Sequence, residues 1–160
     1  MKKFLAICSL ITAFAFISGD LAFAGAEKDP LKARVPRADR GKAKKMKPPK
    51  ELYKKSKKAS DEIVAAGKKI FEGKGTCVNC HGKLGDGLGP AGKVLTPGPR
   101  DFTNCKFHKK RKDGELFWII KNGSPGTGMV AMVPATITDD EAWKVLAYER
   151  TFCKKWRKKK

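Results

Sequence analysis

Cys77-Val78-Asn79-Cys80-His81 sets two thiols one helical turn apart, with an imidazole immediately after the second. Three chemistries compete for such a motif. Thioredoxin-like thiol–disulfide exchange uses a Cys-x-x-Cys pair that follows a strand and opens a helix, whereas here a helical pattern comes first. Zinc would need four ligands drawn from Cys77, Cys80, His81, Cys105, His108 and Cys153, and the last three lack compact ligand spacing. The third chemistry fits. Two thiols at this separation can bond the two vinyl groups on one edge of a porphyrin, and the adjacent His then turns a ring nitrogen to the iron. The motif predicts one covalent haem c on Cys77 and Cys80, with His81 as an axial ligand.

The start of the chain places that chemistry in a compartment. Lys2 and Lys3 precede a mostly apolar run from Phe4 to Ile17, and Ala22-Phe23-Ala24 has the small residues that a signal peptidase needs. Residues 1–24 read as a cleaved secretory signal peptide that takes Cys8 with it, the apolar run being short for a membrane span. No later segment is long and apolar enough to cross a bilayer. The expected location is a periplasm, where unpaired thiols are uncommon. Once Cys77 and Cys80 hold haem, Cys105 and Cys153 are left over, and they are expected to form a disulfide.

The formal net charge is +20 over 160 residues. It favours acidic proteins, anionic membrane surfaces or polyanions as partners. Export argues against nucleic acid, and no helix-turn-helix, zinc-finger or aromatic RNA-binding pattern is present. Residues 25–59 carry much of the charge: Arg34, Arg37, Arg40, Lys42, Lys44, Lys45, Lys47 and Lys50 alternate with Ala and Pro, and apolar positions show no period. This basic segment is either a disordered arm or an extended strap over the domain, its charges reading as solvated rather than as a docking surface.

Order is expected from Ser60, over a domain spanning 60–153 and followed by a basic tail at 154–160. Ser60-Asp61-Glu62 opens a helix whose apolar face is Ile63, Ala66, Gly67, Ile70 and Phe71, ending at Gly73 and Gly75. Residues 82–100 are Gly- and Pro-rich loop. A second helix fits Asp113 to Lys121, closed by Asn122-Gly123, and 124–134 is loop again. Thr138 and Glu141 have capping-box spacing ahead of a last helix that reaches about Phe152. The fold class is all-α: a few helices and long loops around one haem, with no convincing strand.

An iron that only carries electrons needs a second axial ligand. Met46 lies in the basic segment, and His108 sits in the basic run from Lys106 to Lys112 and reads as a surface histidine. Met129 and Met132 lie in the loop before the last helix, and spacing alone does not choose between them.

Gly67-Lys68-Lys69-Ile70-Phe71, Cys77-Val78-Asn79-Cys80-His81-Gly82, Gly87-Leu88-Gly89-Pro90, Gly126-Thr127-Gly128-Met129 and Trp143-Lys144-Val145-Leu146-Ala147-Tyr148 together resemble the class I monohaem c-type cytochromes, over roughly Ser60 to Phe152. The resemblance implies the cytochrome c fold. Gly67 would let the first helix cross the last closely, beside Phe71, Trp143 and Tyr148. Met129 would be the distal ligand, from a Gly-Thr-x-Met loop. Val130 replaces the usual proline after that methionine, and Met132 stands where an aromatic is common, so Met132 stays the runner-up. Pro90 would accept a hydrogen bond from the proximal imidazole through its carbonyl, fixing the ring.

With His81 and Met129 both bound, no position is vacant for substrate, and the expected function is Fe(III)/Fe(II) electron transfer rather than catalysis. Phe71, Phe102, Trp118 and Trp143 are expected to bury the haem. Lys83, Lys93, Lys106, Lys109, Lys110 and Arg111 are expected to form a positive rim that steers acidic redox partners. Two other readings stand: a haem-carrying subunit of a larger respiratory complex, and a haem enzyme or ligand sensor with an open distal site.

Overall fold

Ile63, Gly67, Ile70 and Phe71 recur at helical spacing because they form one stripe of a helix that must bury it. In a computed structural model, which describes residues 29–53 and 59–154, that helix runs over Asp61–Glu72. The other α-helices are α1 (Arg40–Lys45), α2 (Lys50–Tyr53), α4 (Val78–His81), α5 (Cys105–Lys110), α6 (Asp113–Asn122) and α7 (Asp139–Glu149), and Asp61–Glu72 is α3. Three 3-10 turns, at Arg37–Asp39, Gly92–Val94 and Arg150–Phe152, complete the described elements, and no strand occurs among them.

The helix ends follow their local chemistry. Ser60 Oγ accepts the Ile63 N–H at 3.4 Å, and Asp61 and Glu62 meet the positive end of α3. Thr138 and Glu141 form the expected capping box on α7: Glu141 N–H donates to Thr138 Oγ1 at 3.2 Å and Thr138 N–H to Glu141 Oε2 at 2.8 Å. Gly123, with a positive φ of 77°, ends α6 where the sequence placed the stop.

The core is the crossing of α3 with α7, floored by α6. A Cβ on Gly67 would collide with the carbonyl of Lys144, so the absence of a side chain lets the two backbones touch. Phe71 meets Tyr148 edge-to-face beside that crossing, with ring centroids 5.4 Å apart. On the other side Trp143 stacks on Phe117 of α6 at 4.1 Å, a pairing worth about 1 kcal/mol beyond its buried area. Leu146, Ile137 and Ala142 fill the space between.

The basic segment takes the form of a strap. Val35 and Ala43 are buried, and α1 rests on α6, where Gly114 leaves room for the carbonyls of Ala43 and Met46. Arg100 donates to the carbonyls of Pro30 and Lys32, and Arg111 to that of Leu31 at 3.1 Å. These contacts were not legible from periodicity, because one valine and one alanine among many lysines make no pattern. The short helices α1, α2 and α5 are likewise too brief to show an apolar period. Residues 1–28, 54–58 and 155–160 lie outside the described residues, the expected signal peptide and nearly all of the basic tail among them.

Cys105 at the start of α5 and Cys153 after the last turn are joined in the structure, with Cα atoms 5.1 Å apart. His108 differs from its surface reading. It is 1% exposed, its Nε2 lies 2.6 Å from the Phe102 carbonyl, and Arg150 reaches both its Nδ1 and its own carbonyl. The lysines on either side point outward while α5 turns the imidazole under them. No described helix is long and apolar enough to cross a membrane.

Candidate haem site

The Cys-x-x-Cys-His motif folds as a single turn because its backbone closes on itself. His81 N–H donates to the Cys77 carbonyl at 2.9 Å and Gly82 N–H to the Val78 carbonyl at 2.9 Å. Cys77, Cys80 and His81 thereby line one cavity, and the two thiols are the unbridged cysteines among the described residues. Burial pushes the Cys77 thiol up to about 11, a thiol rather than a thiolate at neutral pH.

His81 is held on two sides. Phe102 stacks on its ring at 4.4 Å, and its Nδ1 lies 3.3 Å from the Arg100 carbonyl. Burial lowers its pKa to about 4, with the Arg100 bond opposing that shift, so the imidazole is neutral at pH 7. With Nδ1–H donating to Arg100, Nε2 keeps the lone pair that a metal requires.

Here the structure corrects the sequence reading. Pro90 is exposed, and Arg100 takes the role assigned to its carbonyl. The loop doubles back: Gly89 and Ala91 N–H groups bond the Cys80 and Asn79 carbonyls, while a later stretch, Pro99-Arg100, runs past the imidazole. The proline-rich run just ahead of Arg100 was the signal available in the sequence.

Met129 and Met132 both line the same cavity. Met132 belongs to the core, 8% exposed, its N–H on the Ile120 carbonyl and its own carbonyl taken by Thr136 and Ile137 N–H groups. Met129 sits on the loop instead. Its N–H donates to Thr127 Oγ1 at 3.2 Å and its carbonyl accepts from Ser124 N–H at 2.9 Å. Met46 does not line the cavity, and His108 is occupied elsewhere.

Phe71 and Phe102 line the cavity as expected, while Trp118 and Trp143 do not; Phe107, Leu116 and Ile120 take their places. Trp143 is engaged with Phe117, so the face of α7 that reaches the cavity is the one carrying Val145 and Glu149. Lys83, Lys93, Lys106, Lys109 and Lys110 are exposed. Arg111, placed with them from sequence, is largely buried, 12% exposed, and pairs with Glu115 at 3.1 Å.

The cavity fits haem c on its own chemistry. Two free thiols and a neutral imidazole share a wall with apolar side chains and two thioethers. Among the described residues three buried polar side-chain atoms also lack a partner, Arg111 Nε, Ser124 Oγ and Glu149 Oε1, and all three residues line this cavity. Buried polar groups are normally satisfied. That the orphans gather here indicates a space shaped for an occupant with polar edges.

A sequence profile described as cytochrome c oxidase, cbb3-type, subunit III matches residues 62–148. Among solved structures, a reducing HAO-like protein complex of Kuenenia stuttgartiensis contains a chain similar to this one, with 31% identity and a TM-score of 0.53. That match covers 59% of this chain and 45% of the other, so this chain spans less than half the length of that relative. The c-type cytochrome KustC0563 is 23% identical, with a TM-score of 0.46, covering 54% of this chain and 96% of that one. Cytochrome cL of Methylophaga aminisulfidivorans MPT is 22% identical, with a TM-score of 0.45, covering 67% and 69%. Comparison with curated protein sequences gives no match.

Proposed function

For a chain that belongs to the cytochrome c family of cbb3-type oxidase subunit III, and so carries covalent haem c, we propose one-electron transfer between protein partners outside the cytoplasm, with the iron closed by His81 and Met129. The observation that carries this reading is the convergence of Cys77, Cys80, His81 and Met129 on one cavity. When bound, haem c supplies the Fe(III)/Fe(II) couple.

The residues do the rest. Cys77 and Cys80 would hold the porphyrin edge by thioethers. The Arg100 carbonyl fixes the His81 ring and leaves Nε2 for the iron. Thr127 and Ser124 pin the backbone of Met129 so that its thioether is presented from a loop with little freedom. With His81 and Met129 as its protein ligands the iron would offer no open position to a substrate, and the thioether would favour the reduced state relative to a second imidazole. Phe71, Phe102 and Leu116 exclude water, which acts in the same direction.

Export by cleavage after Ala24 and a Cys105–Cys153 disulfide belong to the same proposal. So does steering of acidic partners by the exposed lysines, which predicts association slowed by added salt; a rate indifferent to ionic strength would sink that element.

The deciding experiment is an absorption spectrum of the purified holoprotein, oxidised and reduced, beside Met129→Ala and Met132→Ala. A low-spin haem whose thioether–iron charge-transfer band is lost only in Met129→Ala is the expected result. Loss only in Met132→Ala reassigns the ligand. A high-spin spectrum that shifts with cyanide or carbon monoxide refutes the closed site and favours an enzyme or sensor.

A second reading has its own support. The 31% identical relative comes from a protein complex, which favours a haem-carrying subunit over a mobile carrier. Native size in a gently solubilised extract separates the two.

A further inference from the structure

Ala142, Val145, Leu146 and Glu149 follow one another at helical spacing on α7, and all four are buried. The first three are apolar. The fourth brings a carboxyl onto the same face: Glu149 is 4% exposed, its Oε1 has no hydrogen-bond partner, and it lines the cavity that Cys77 and His81 also line. Facing the polar edge of an occupant calls for a polar atom here, but electron transfer alone gives an ionisable acid no task.

We propose that Glu149 is a redox-linked proton acceptor, binding one proton from solvent when the haem site gains an electron and releasing it when the electron leaves. This rests on the haem-based electron transfer proposed above.

The charges around Glu149 set its starting state. Burial pushes its carboxyl up to about 8, Asp113 adds to the rise and Arg150 opposes it. Arg150 is itself committed to Asp113, with further bonds to the carbonyls of His108 and Arg111. Arg111 pairs with Glu115 on the same cavity wall. The strap brings Lys32 and Arg34 and the loop after α4 brings Arg100, while α3 contributes Phe71 and α4 is preceded by Cys77, which no longer titrates once bonded to haem. A carboxylate in such a place is costly, so the acid and its anion are close in free energy near neutral pH.

A charge change of one unit in a shared low-dielectric cavity then decides between them, because Coulomb interaction there is far stronger than in water. Reduction removes one positive charge and raises the proton affinity of Glu149; oxidation lowers it. The balance is one electron from the redox partner and one proton from solvent. The only bond formed is O–H on Glu149, and the reverse step breaks it and returns both particles.

The test is the midpoint potential of the holoprotein between pH 5.5 and 10, for the wild type and Glu149→Gln, with the spectrum recorded at each pH. The wild-type potential is expected to fall with rising pH across a window bounded by two acid constants, one for each redox state, at least tenfold apart. Glu149→Gln is expected to be flat over that window. A flat wild type, or an unchanged slope in Glu149→Gln, overturns the proposal and in the latter case places the proton elsewhere, as on a haem carboxylate. Should Glu149→Gln not fold, reduction-induced infrared difference spectra of the wild type and Glu149→Asp decide instead: a carboxylic-acid C=O band that grows on reduction, shifts in D2O and changes frequency in Glu149→Asp supports it, and the absence of a band, or one that Glu149→Asp leaves unchanged, overturns it. A protein lacking a c-type haem spectrum altogether would fail the parent reading, which the same absorption record detects separately.

Discussion

Gly67 lies so close beneath the carbonyl of Lys144 that the two helices crossing there have no room for a Cβ, and the Cβ of Tyr148 bounds the same gap at 3.1 Å. This contact fixes how α3 and α7 meet, and Phe71 and Glu149 enter the haem cavity from those two helices.

Gly67→Ala is therefore expected to do harm although alanine is the better helix former. The carbonyl it meets is backbone and cannot rotate away, so the helices must separate. Overpacking of this kind costs about 1–3 kcal/mol, against the ~1 kcal/mol that propensity alone would return. Denaturant unfolding of the holoprotein measures it, and equal or greater stability in Gly67→Ala would show that the crossing relaxes freely.

His108 predicts an acid-side weakening. Its pKa is lowered to about 4, chiefly by burial and further by Arg150, with the Phe102 carbonyl opposing. An unfolded histidine titrates near 6.5. Between those values the unfolded chain binds a proton that the folded protein refuses. Stability is full above about pH 6.5 and falls by about 1.4 kcal/mol per pH unit towards pH 4, about 3 kcal/mol in all. Unfolding followed from pH 7 to 4.5 in His108→Gln should lose that part of the slope; an identical pH profile would refute the assignment.

The Cys105–Cys153 pairing spans 48 residues of sequence, and closing a loop of that size is worth about 4 kcal/mol. Cys105→Ser, Cys153→Ser and the double variant should lose similar stability in denaturant, and a reductant should bring the wild type to their level. Non-reducing mass measurement showing two free thiols in the exported protein would remove the bridge.

The strap depends on the close approach of Ala43 to Gly114. Gly114→Val should lift α1 from α6 and free the strap backbone at Arg34 and Arg40 for trypsin, with cleavage about tenfold faster than in the wild type, on the view that local opening sets the rate. Equal cleavage rates would mean that the strap is already open in solution.

Much of the candidate site is legible in the sequence because it is local chemistry. Cys77, Cys80 and His81 lie within five residues, and one helical turn dictates their relation whatever surrounds them. The capping box of α7 and the apolar stripe of α3 are likewise set by residues three and four positions apart. The two methionines were legible as a pair, since a glycine-rich loop before a helix can present either.

Patterns within short stretches specify a haem-binding, all-helical chain and the ends of α3, α6 and α7. Which carbonyl holds His81 depends on tertiary packing, because Arg100 is 19 residues away and Pro90 only nine, and the path of a loop between them has no period to read. Tertiary packing decides also that the charged arm is a strap, that His108 is buried, and that Glu149 faces the cavity rather than water. Those outcomes depend on which surfaces meet once distant segments pack, and burial, unlike helical phase, is a property that no short stretch of chain possesses alone.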